Sequence, residues 1–270
     1  MPELPEVETS RRGIEPHILN QKVTDVVIRQ KKLRWPIPTT LKKQLIDQTI
    51  LQVERRGKYI LLRTHAGTVI LHLGMSGSLR ILDKQTPAEK HDHFDIVFNN
   101  TVLRLRDPRR FGAVLWTKTN PLKHKLICNL GPEPLSDAFD ANYLYNASRK
   151  RKVAIKILLM NSQIVVGVGN IYANESLFSA GINPKCSAHK ISLVRYQRLV
   201  VCVKDILERS IAQGGTTLKD FTQHDGKPGY FQQTLLVYGR TDQPCTLCNK
   251  PITQIKQGQR STFYCTHCQN

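Results

Sequence analysis

Four of the seven cysteines crowd into the last 26 residues, where Cys245, Cys248, Cys265 and Cys268 are spaced C-x2-C-x16-C-x2-C. Two C-x-x-C knuckles separated by about 15–20 residues fit a four-thiolate zinc site. Each knuckle turns two sulfurs toward one point, and the insert is long enough for a hairpin to bring the second knuckle back. So short a segment cannot build a core, and a metal takes that place. Two disulfides or a redox pair are the competing uses of this spacing. The chain opens with Glu3, Glu6, Glu8, Arg11 and Arg12 and no apolar run behind a basic start. No secretory signal is therefore expected, and a reducing compartment disfavours disulfides. A redox motif needs no duplicate. The expectation is one structural Zn2+, with no open position left for water. Cys128, Cys186 and Cys202 lack partner spacing, and Cys202 reads as ordinary core.

The rest of the chain must fold by burying apolar surface. Hydrophobic residues fill 40% of the 270 positions, too many for wholesale disorder. The length suits two domains, or two and a small module, at about 100–200 residues each. Forty Lys+Arg against 21 Asp+Glu leave a formal net charge of +19. Such an excess favours a polyanionic partner, nucleic acid first; a surface charged for solubility is more usually acidic. No apolar run approaches the roughly 18 residues of a membrane span, so no membrane partner is expected.

Residues 3–12 read as a short helix, with Pro5 in the first turn, Glu6 and Glu8 near the positive helix end, and Gly13 as its stop. Strand-like segments follow at Val23–Ile28, Ile50–Val53, Tyr59–Leu62, Thr68–Leu73, Phe94–Phe98, Val102–Leu105 and Ala113–Trp116. Their shortness and spacing predict an all-β sandwich or barrel rather than βαβ units. The pattern breaks at Gly131-Pro132-Glu133-Pro134, the expected linker. Helical periodicity then runs over Ser192–Gln213, capped by Ser192 and ended by Gly214-Gly215. Shorter helices are expected at Val153–Met160 and at Ile171–Ala180, the latter capped by Asn170 and stopped by Gly181. Residues 216–234 are polar and turn-rich and read as a mobile loop. The predicted class is α+β and multidomain, with boundaries at 1–131, 132–234 and 235–270.

Position two carries the most chemistry. Removal of Met1 ahead of a small residue would leave Pro2 as a free secondary amine. Condensation of such an amine with the anomeric carbon of a sugar gives a cationic iminium directly. An α-amino group is about a tenth to a fifth neutral at pH 7, far more than an ordinary lysine. Glu3 beside it, and Glu6 one turn on, are placed to pass protons to a leaving base or an opened sugar ring. Taken alone, these residues favour the plainer reading, since many chains begin Met-Pro-Glu and make no catalytic use of it. Basic clusters at 31–34, 55–58, 109–110 and 149–152 serve either as solvated faces or as grips on phosphates, and the last also fits a localisation signal. Gly167-Val168-Gly169-Asn170 is either a turn or a helix start that admits an anion to backbone N–H groups. In Asp107-Pro108-Arg109-Arg110-Phe111-Gly112, Phe111 is either core or a wedge beside a guanidinium, as unstacking a base step requires.

Together these motifs carry a resemblance. Met1 to Thr9 (MPELPEVET), His72 to Gly77 (HLGMSG), Asp107 to Gly112, Gly167 to Ala173 (GVGNIYA) and the four-cysteine finger occur in order from end to end. The chain resembles the bacterial formamidopyrimidine-DNA glycosylase family, which removes 8-oxoguanine and ring-opened purines. The related endonuclease VIII, which acts on oxidised pyrimidines, opens with a somewhat different motif. Leu4 and the Met-Ser-Gly and Arg-Arg-Phe segments are closer to the purine enzyme. The resemblance implies an N-terminal β-sandwich with a short N-terminal helix, a helical helix–two-turns–helix domain and a C-terminal four-cysteine zinc finger, with damaged duplex DNA in the cleft between domains.

It further implies that Pro2 attacks the anomeric carbon of an extruded nucleotide and that Glu3 donates the proton. Lys58 would assist β-elimination and hold phosphate, and Arg260 would contact phosphate and assist δ-elimination. Met75, Arg109 and Phe111 match void-filling side chains, with Arg109 facing the orphaned cytosine. His91, Arg109, Arg151 and Asn170 match DNA contacts, with arginine at 151 where lysine also serves, and Lys156 lies near the base pocket. Residues 216–234 match the loop that closes over the flipped base. The expected setting is a monomer in the bacterial cytoplasm, on the nucleoid. Extruding a base costs a few kcal/mol, less at a damaged pair, and the wedge and phosphate grips offset that cost. A non-enzymatic DNA-binding protein would account for charge and zinc, but would leave the Pro-Glu start and the wedge turn without a use.

Overall fold

The computed structural model describes residues 2–214 and 235–270. The expected loop at 216–234 lies outside the described residues. The chain separates into two compact units, one formed by residues up to Cys128 and the other by Asn129–Gln213 with the described residues from 235 on.

The first unit opens with α1 (Leu4–Ile18) and continues through β1 (Asp25–Ile28), α2 (Leu41–Leu45), β2 (Gln52–Arg56), β3 (Tyr59–Arg63), β4 (Thr68–His72), β5 (Ser78–Asp83), β6 (Asp92–Val97), β7 (Thr101–Arg106) and β8 (Ala113–Thr117). The strands form two four-stranded antiparallel sheets, ordered β1-β6-β7-β5 and β2-β3-β4-β8. Period-two alternation turns one face of each sheet into a shared core. From the second sheet come Val53, Ile60, Leu62, Val69, Leu71 and Val114, and from the first Leu79, Phe94, Ile96, Leu103 and Leu105. Cross-strand partners match: Ile60 lies opposite Leu71, Leu62 opposite Val69, and Leu71 opposite Val114. The expected sandwich is therefore present.

Helix α1 does not stop at Gly13 as expected; it runs to Ile18 with Pro16 inside it. Glycine costs a helix about 1 kcal/mol and an interior proline about 3. Burying an aliphatic side chain returns about 1.5–3 kcal/mol, and Leu4, Val7, Ile14 and Ile18 are all buried. Tertiary burial therefore outweighs the two breakers. Strand β5 and helix α2 were not expected. Each is short, and its full burial rests on Leu79 in one and on Leu41 and Leu45 in the other.

The second unit contains α3 (Ala141–Ser148), α4 (Ile155–Leu159), α5 (Asn170–Ser179), α6 (Leu193–Ala212) and the hairpin β9 (Thr253–Gln257) and β10 (Arg260–Tyr264). Helix α6 begins as expected, with Ser192 Oγ accepting the Arg195 N–H at 3.5 Å. Helix α3 was not expected, although Asp140 caps it by accepting the Tyr143 N–H at 2.6 Å. Asn170 does not cap α5; it is the first helical residue, and Gly169 is the cap. Gly181 follows the helix at φ +67°, the left-handed region that glycine enters freely. The helices bury Leu144, Ile155, Leu158, Leu159, Tyr172, Leu177, Tyr196, Leu199, Val203 and Leu207 in one core. Among the described residues, no helix is long and apolar enough to cross a membrane.

Candidate DNA-processing site

The N-terminal end of α1 is built from acids. Pro2 is half-buried and directly precedes the helix, while Glu3 and Glu6 are buried in its first turn. Glu6 reaches back to accept the Glu3 backbone N–H at 2.8 Å, half of a capping box. This satisfies a helix-end donor and fixes Glu3 beside Pro2.

Farther along the helix, Glu8 accepts from Arg12 Nε at 2.8 Å, Arg55 Nε at 2.9 Å and Arg11 Nε at 3.2 Å. Burial pushes its carboxyl up, but the guanidiniums of Arg11, Arg12 and Arg55 outweigh burial and hold it below the ordinary carboxylate range. Arg11 also donates to the Val53 carbonyl at 3.1 Å, which pins the helix to β2.

Lys58 sits in the two-residue turn joining β2 to β3, where Gly57 takes φ +58°. A positive φ at the first loop position is what a type II′ hairpin requires, and glycine supplies it without strain. Arg55 donates to the Gly57 carbonyl at 3.1 Å as well as to Glu8. The helix carrying Pro2 and Glu3 and the turn carrying Lys58 are thus tied through one arginine. The charge of Lys58 is felt at His72. Burial, then Lys58 and Arg34, push that imidazole down to about 4. It is neutral at pH 7, with Nδ1 accepting the Gly74 N–H at 3.0 Å.

Two turns of this unit stand back to back. One holds Gly74 and Met75 and the other Arg109 to Phe111. A Cβ on Gly74 would lie 2.4 Å from the Phe111 carbonyl carbon, so the backbones touch. Phe111 is 44% exposed and outside the core, and Arg109 lies over its ring at 4.9 Å, a cation–π distance. Met75 is partly buried. His91 joins the same region through its carbonyl, which accepts the Asp107 N–H at 3.0 Å.

In the second unit, Cys248 and Cys265 place their sulfurs 3.5 Å apart and Cys245 and Cys268 theirs 3.9 Å apart. All four sulfurs lie within 4.8 Å of one another. A tetrahedral zinc with bonds near 2.3 Å needs sulfurs about 3.8 Å apart, whereas a disulfide needs about 2.0 Å. The cluster fits zinc and not two disulfides. Burial opposes ionisation of Cys265, but backbone N–H groups of Cys268 and His267 bring it down to about 7. Burial, with the neighbouring thiols, pushes Cys268 up to about 12. Four sulfurs therefore lose all their protons only against a cation.

The finger hairpin turns at Gly258-Gln259, both at positive φ, and presents exposed Arg260 at the start of β10. Its backbone is gripped by the helices. Lys156 was expected near the base pocket as a DNA contact. It is wholly buried, its ammonium donating to the Ser261 carbonyl at 2.8 Å and Thr262 Oγ1 at 2.7 Å. Lysine length and burial make it a tie to the strand that bears Arg260. Asn170 donates to the same Ser261 carbonyl at 3.0 Å, which brings the α5 N-terminus beside that strand. Asn174 accepts the Phe263 N–H at 2.8 Å. Arg151 is exposed at the end of α3, with Nε on the Ala147 carbonyl at 3.0 Å.

Sequence reasoning placed Glu8 only as a helix-end acid and gave no role to His72 or Glu175. Glu175 is buried and accepts the N–H groups of Leu236, Val237 and Tyr238 at 2.8, 3.0 and 2.8 Å, fixing the chain where the finger begins. The available signal was Glu175 itself, the sole charged residue of α5.

Comparison with known proteins follows this division. Residues 1–114 match the formamidopyrimidine-DNA glycosylase N-terminal domain, 130–222 the formamidopyrimidine-DNA glycosylase H2TH domain, and 242–270 the zinc finger found in FPG and IleRS. The formamidopyrimidine-DNA glycosylase of Nitrosococcus oceani is 56% identical over 271 residues, covering 100% of both chains. That of Cellvibrio japonicus is 57% identical over 269 residues, again covering 100% of both. Among solved structures, a Lactococcus lactis FPG mutant in complex with Fapy-dG-containing DNA is similar at a TM-score of 0.91 and 34% identity, covering 99% of each chain. The MutM (FPG) protein of Thermus thermophilus is similar at a TM-score of 0.88 and 34% identity, covering 99% of this chain and 98% of that one. By domain content, sequence and fold, the chain belongs to the formamidopyrimidine-DNA glycosylase family.

Proposed function

We propose that this chain is a bifunctional DNA glycosylase and AP lyase of base excision repair, removing oxidised purines such as 8-oxoguanine and formamidopyrimidines from duplex DNA. The observation that carries the chemistry is the proline ahead of a helix whose first turn buries two carboxylates. With its nitrogen free, Pro2 attacks C1′ of an extruded nucleotide, and the bond from C1′ to the base breaks, the base leaving with the electron pair and a proton. Glu3 protonates the sugar ring oxygen as the C1′–O4′ bond opens, which leaves the iminium on Pro2. Loss of a C2′ proton then expels the 3′ phosphate, assisted by Lys58. A second elimination expels the 5′ phosphate, assisted by Arg260.

In this reading Met75, Arg109 and Phe111 fill the space the extruded base leaves, with Arg109 facing the opposite cytosine. His91, Arg151 and Asn170 hold phosphates, and Lys156 acts by holding the Arg260 strand. Zinc, held by Cys245, Cys248, Cys265 and Cys268, keeps the finger folded and takes no part in bond breaking. We assign residues 1–131 to a catalytic domain, 132–234 to a helix–two-turns–helix domain with its lesion-capping loop, and 235–270 to the finger. The protein works as a monomer in the bacterial cytoplasm, at the nucleoid. Borohydride reduction during reaction with an 8-oxoguanine·cytosine duplex tests the chemistry. Wild type becomes covalently linked to DNA, and Pro2→Gly falls to background; undiminished linkage in that variant would dismiss Pro2 as the nucleophile.

A further inference from the structure

The turn bearing Met75 and the turn bearing Arg109 and Phe111 are joined by one buried carboxylate. Asp107 is fully enclosed. Its Oδ1 accepts from Ser76 Oγ at 2.9 Å and its Oδ2 from the Gly112 backbone N–H at 2.7 Å. The Ser76 hydroxyl in turn accepts the Arg109 N–H at 3.2 Å. A single pair of side chains thus spans from the Met75 turn to both ends of the arginine turn. Hydrogen bonds to an enclosed carboxylate are among the stronger ones.

The packing leaves no slack. A Cβ on Gly112 would lie 2.7 Å from the His72 carbonyl oxygen and 2.9 Å from Asp107 Oδ2. Asp107 is itself anchored, its carbonyl oxygen 3.0 Å from His93 Nε2 and its N–H on the His91 carbonyl at 3.0 Å. Such ordering matters for exposed side chains that must enter a base stack, because a loop ordered in advance loses less freedom on binding.

We infer that Asp107 and Ser76 are positioning residues that fuse the two turns into one rigid wedge and thereby set how selectively Arg109 reads the base opposite the lesion. This rests on the proposed role of Arg109. The wedge acts as a unit, so removing the Ser76 hydroxyl loosens the arginine turn even though serine touches no base.

Two measurements on Ser76→Ala test it, with Asp107→Asn as the stronger variant wherever that protein folds. Amide hydrogen exchange over residues 107–112 of the DNA-free protein should quicken by about tenfold or more in Ser76→Ala, which removes the hydroxyl's bonds to both Asp107 and the Arg109 N–H. Preference for excising 8-oxoguanine opposite cytosine over adenine should drop about tenfold as well. In an Arg109→Ala background, the same serine change should alter that preference by less than about twofold, because coupled residues are not additive. Exchange at the wild-type rate overturns the fused wedge. Faster exchange with preference intact, or full additivity with Arg109→Ala, overturns its role in reading. Should wild type excise nothing, the enzymatic reading fails by itself, and the exchange comparison still decides whether the turns are fused.

Discussion

Arg109 and Arg260 both stand on exposed turns, yet opposite means hold them in place. Behind Arg109 lies a sandwich whose apolar cluster includes 23 buried residues among those described, and the turn is locked to it by Asp107. Behind Arg260 the corresponding cluster of described residues has six, two of them the zinc ligands Cys245 and Cys265. The finger substitutes a metal for burial, and α4 and α5 supply hydrogen bonds from Lys156, Asn170 and Asn174. An arginine can therefore be aimed by a large core or by a metal and a few polar ties. The two solutions should fail under different insults.

Zinc removal should expose the widest difference. Structural zinc contributes on the order of 10 kcal/mol to folding of a small finger. Cys265→Ser should lose bound zinc, duplex affinity and δ-elimination while the sandwich still unfolds cooperatively near its wild-type temperature. Zinc content and DNA binding unchanged in that variant would remove the contrast. A mid-sized effect is expected in the first unit from Gly74→Ala. Position 74 takes φ +65°, and a Cβ there would lie 2.4 Å from the Phe111 carbonyl carbon, so strain and overpacking together should cost about 2–4 kcal/mol. Thermal unfolding would show it, with zinc content unaltered.

The smallest effect is a dependence on pH confined to the sandwich. His72 has its proton affinity lowered from the ordinary 6.5 to about 4, chiefly by burial. Between these values the unfolded chain binds the proton that the folded protein refuses, so stability is complete above about pH 6.5 and declines as pH falls toward 4. The loss is at most about 3 kcal/mol. Denaturant titrations of wild type and His72→Gln should show a shallower acid decline in the variant; parallel curves would refute it.

What could be read from the residues followed the same contrast. The cysteine spacing, the long period of α6 and the sandwich strands were legible because each is a local pattern repeated or doubled. Helix α1 beyond Gly13 was not, since the burial of Ile14 and Ile18 that sustains it is tertiary. Strand β5 hid because its apolar residues do not alternate throughout and only Leu79 is fully buried, and α3 hid although Asp140 was a fair cap. The motif around Asp107 was visible, but nothing in a one-dimensional string says that its carboxylate reaches Ser76, 31 positions earlier. Lys156 was named through the resemblance alone; its full burial against the strand that bears Arg260 is tertiary and leaves no mark in the local sequence.

The central claim is that the imino nitrogen of Pro2 forms the covalent intermediate. Peptide mapping of the borohydride-trapped complex by mass spectrometry tests it most directly. The reduced sugar should lie on the N-terminal peptide, on the nitrogen of Pro2, with Met1 absent. A sugar mapped to Lys58, or to any peptide of a protein still carrying Met1, would contradict it.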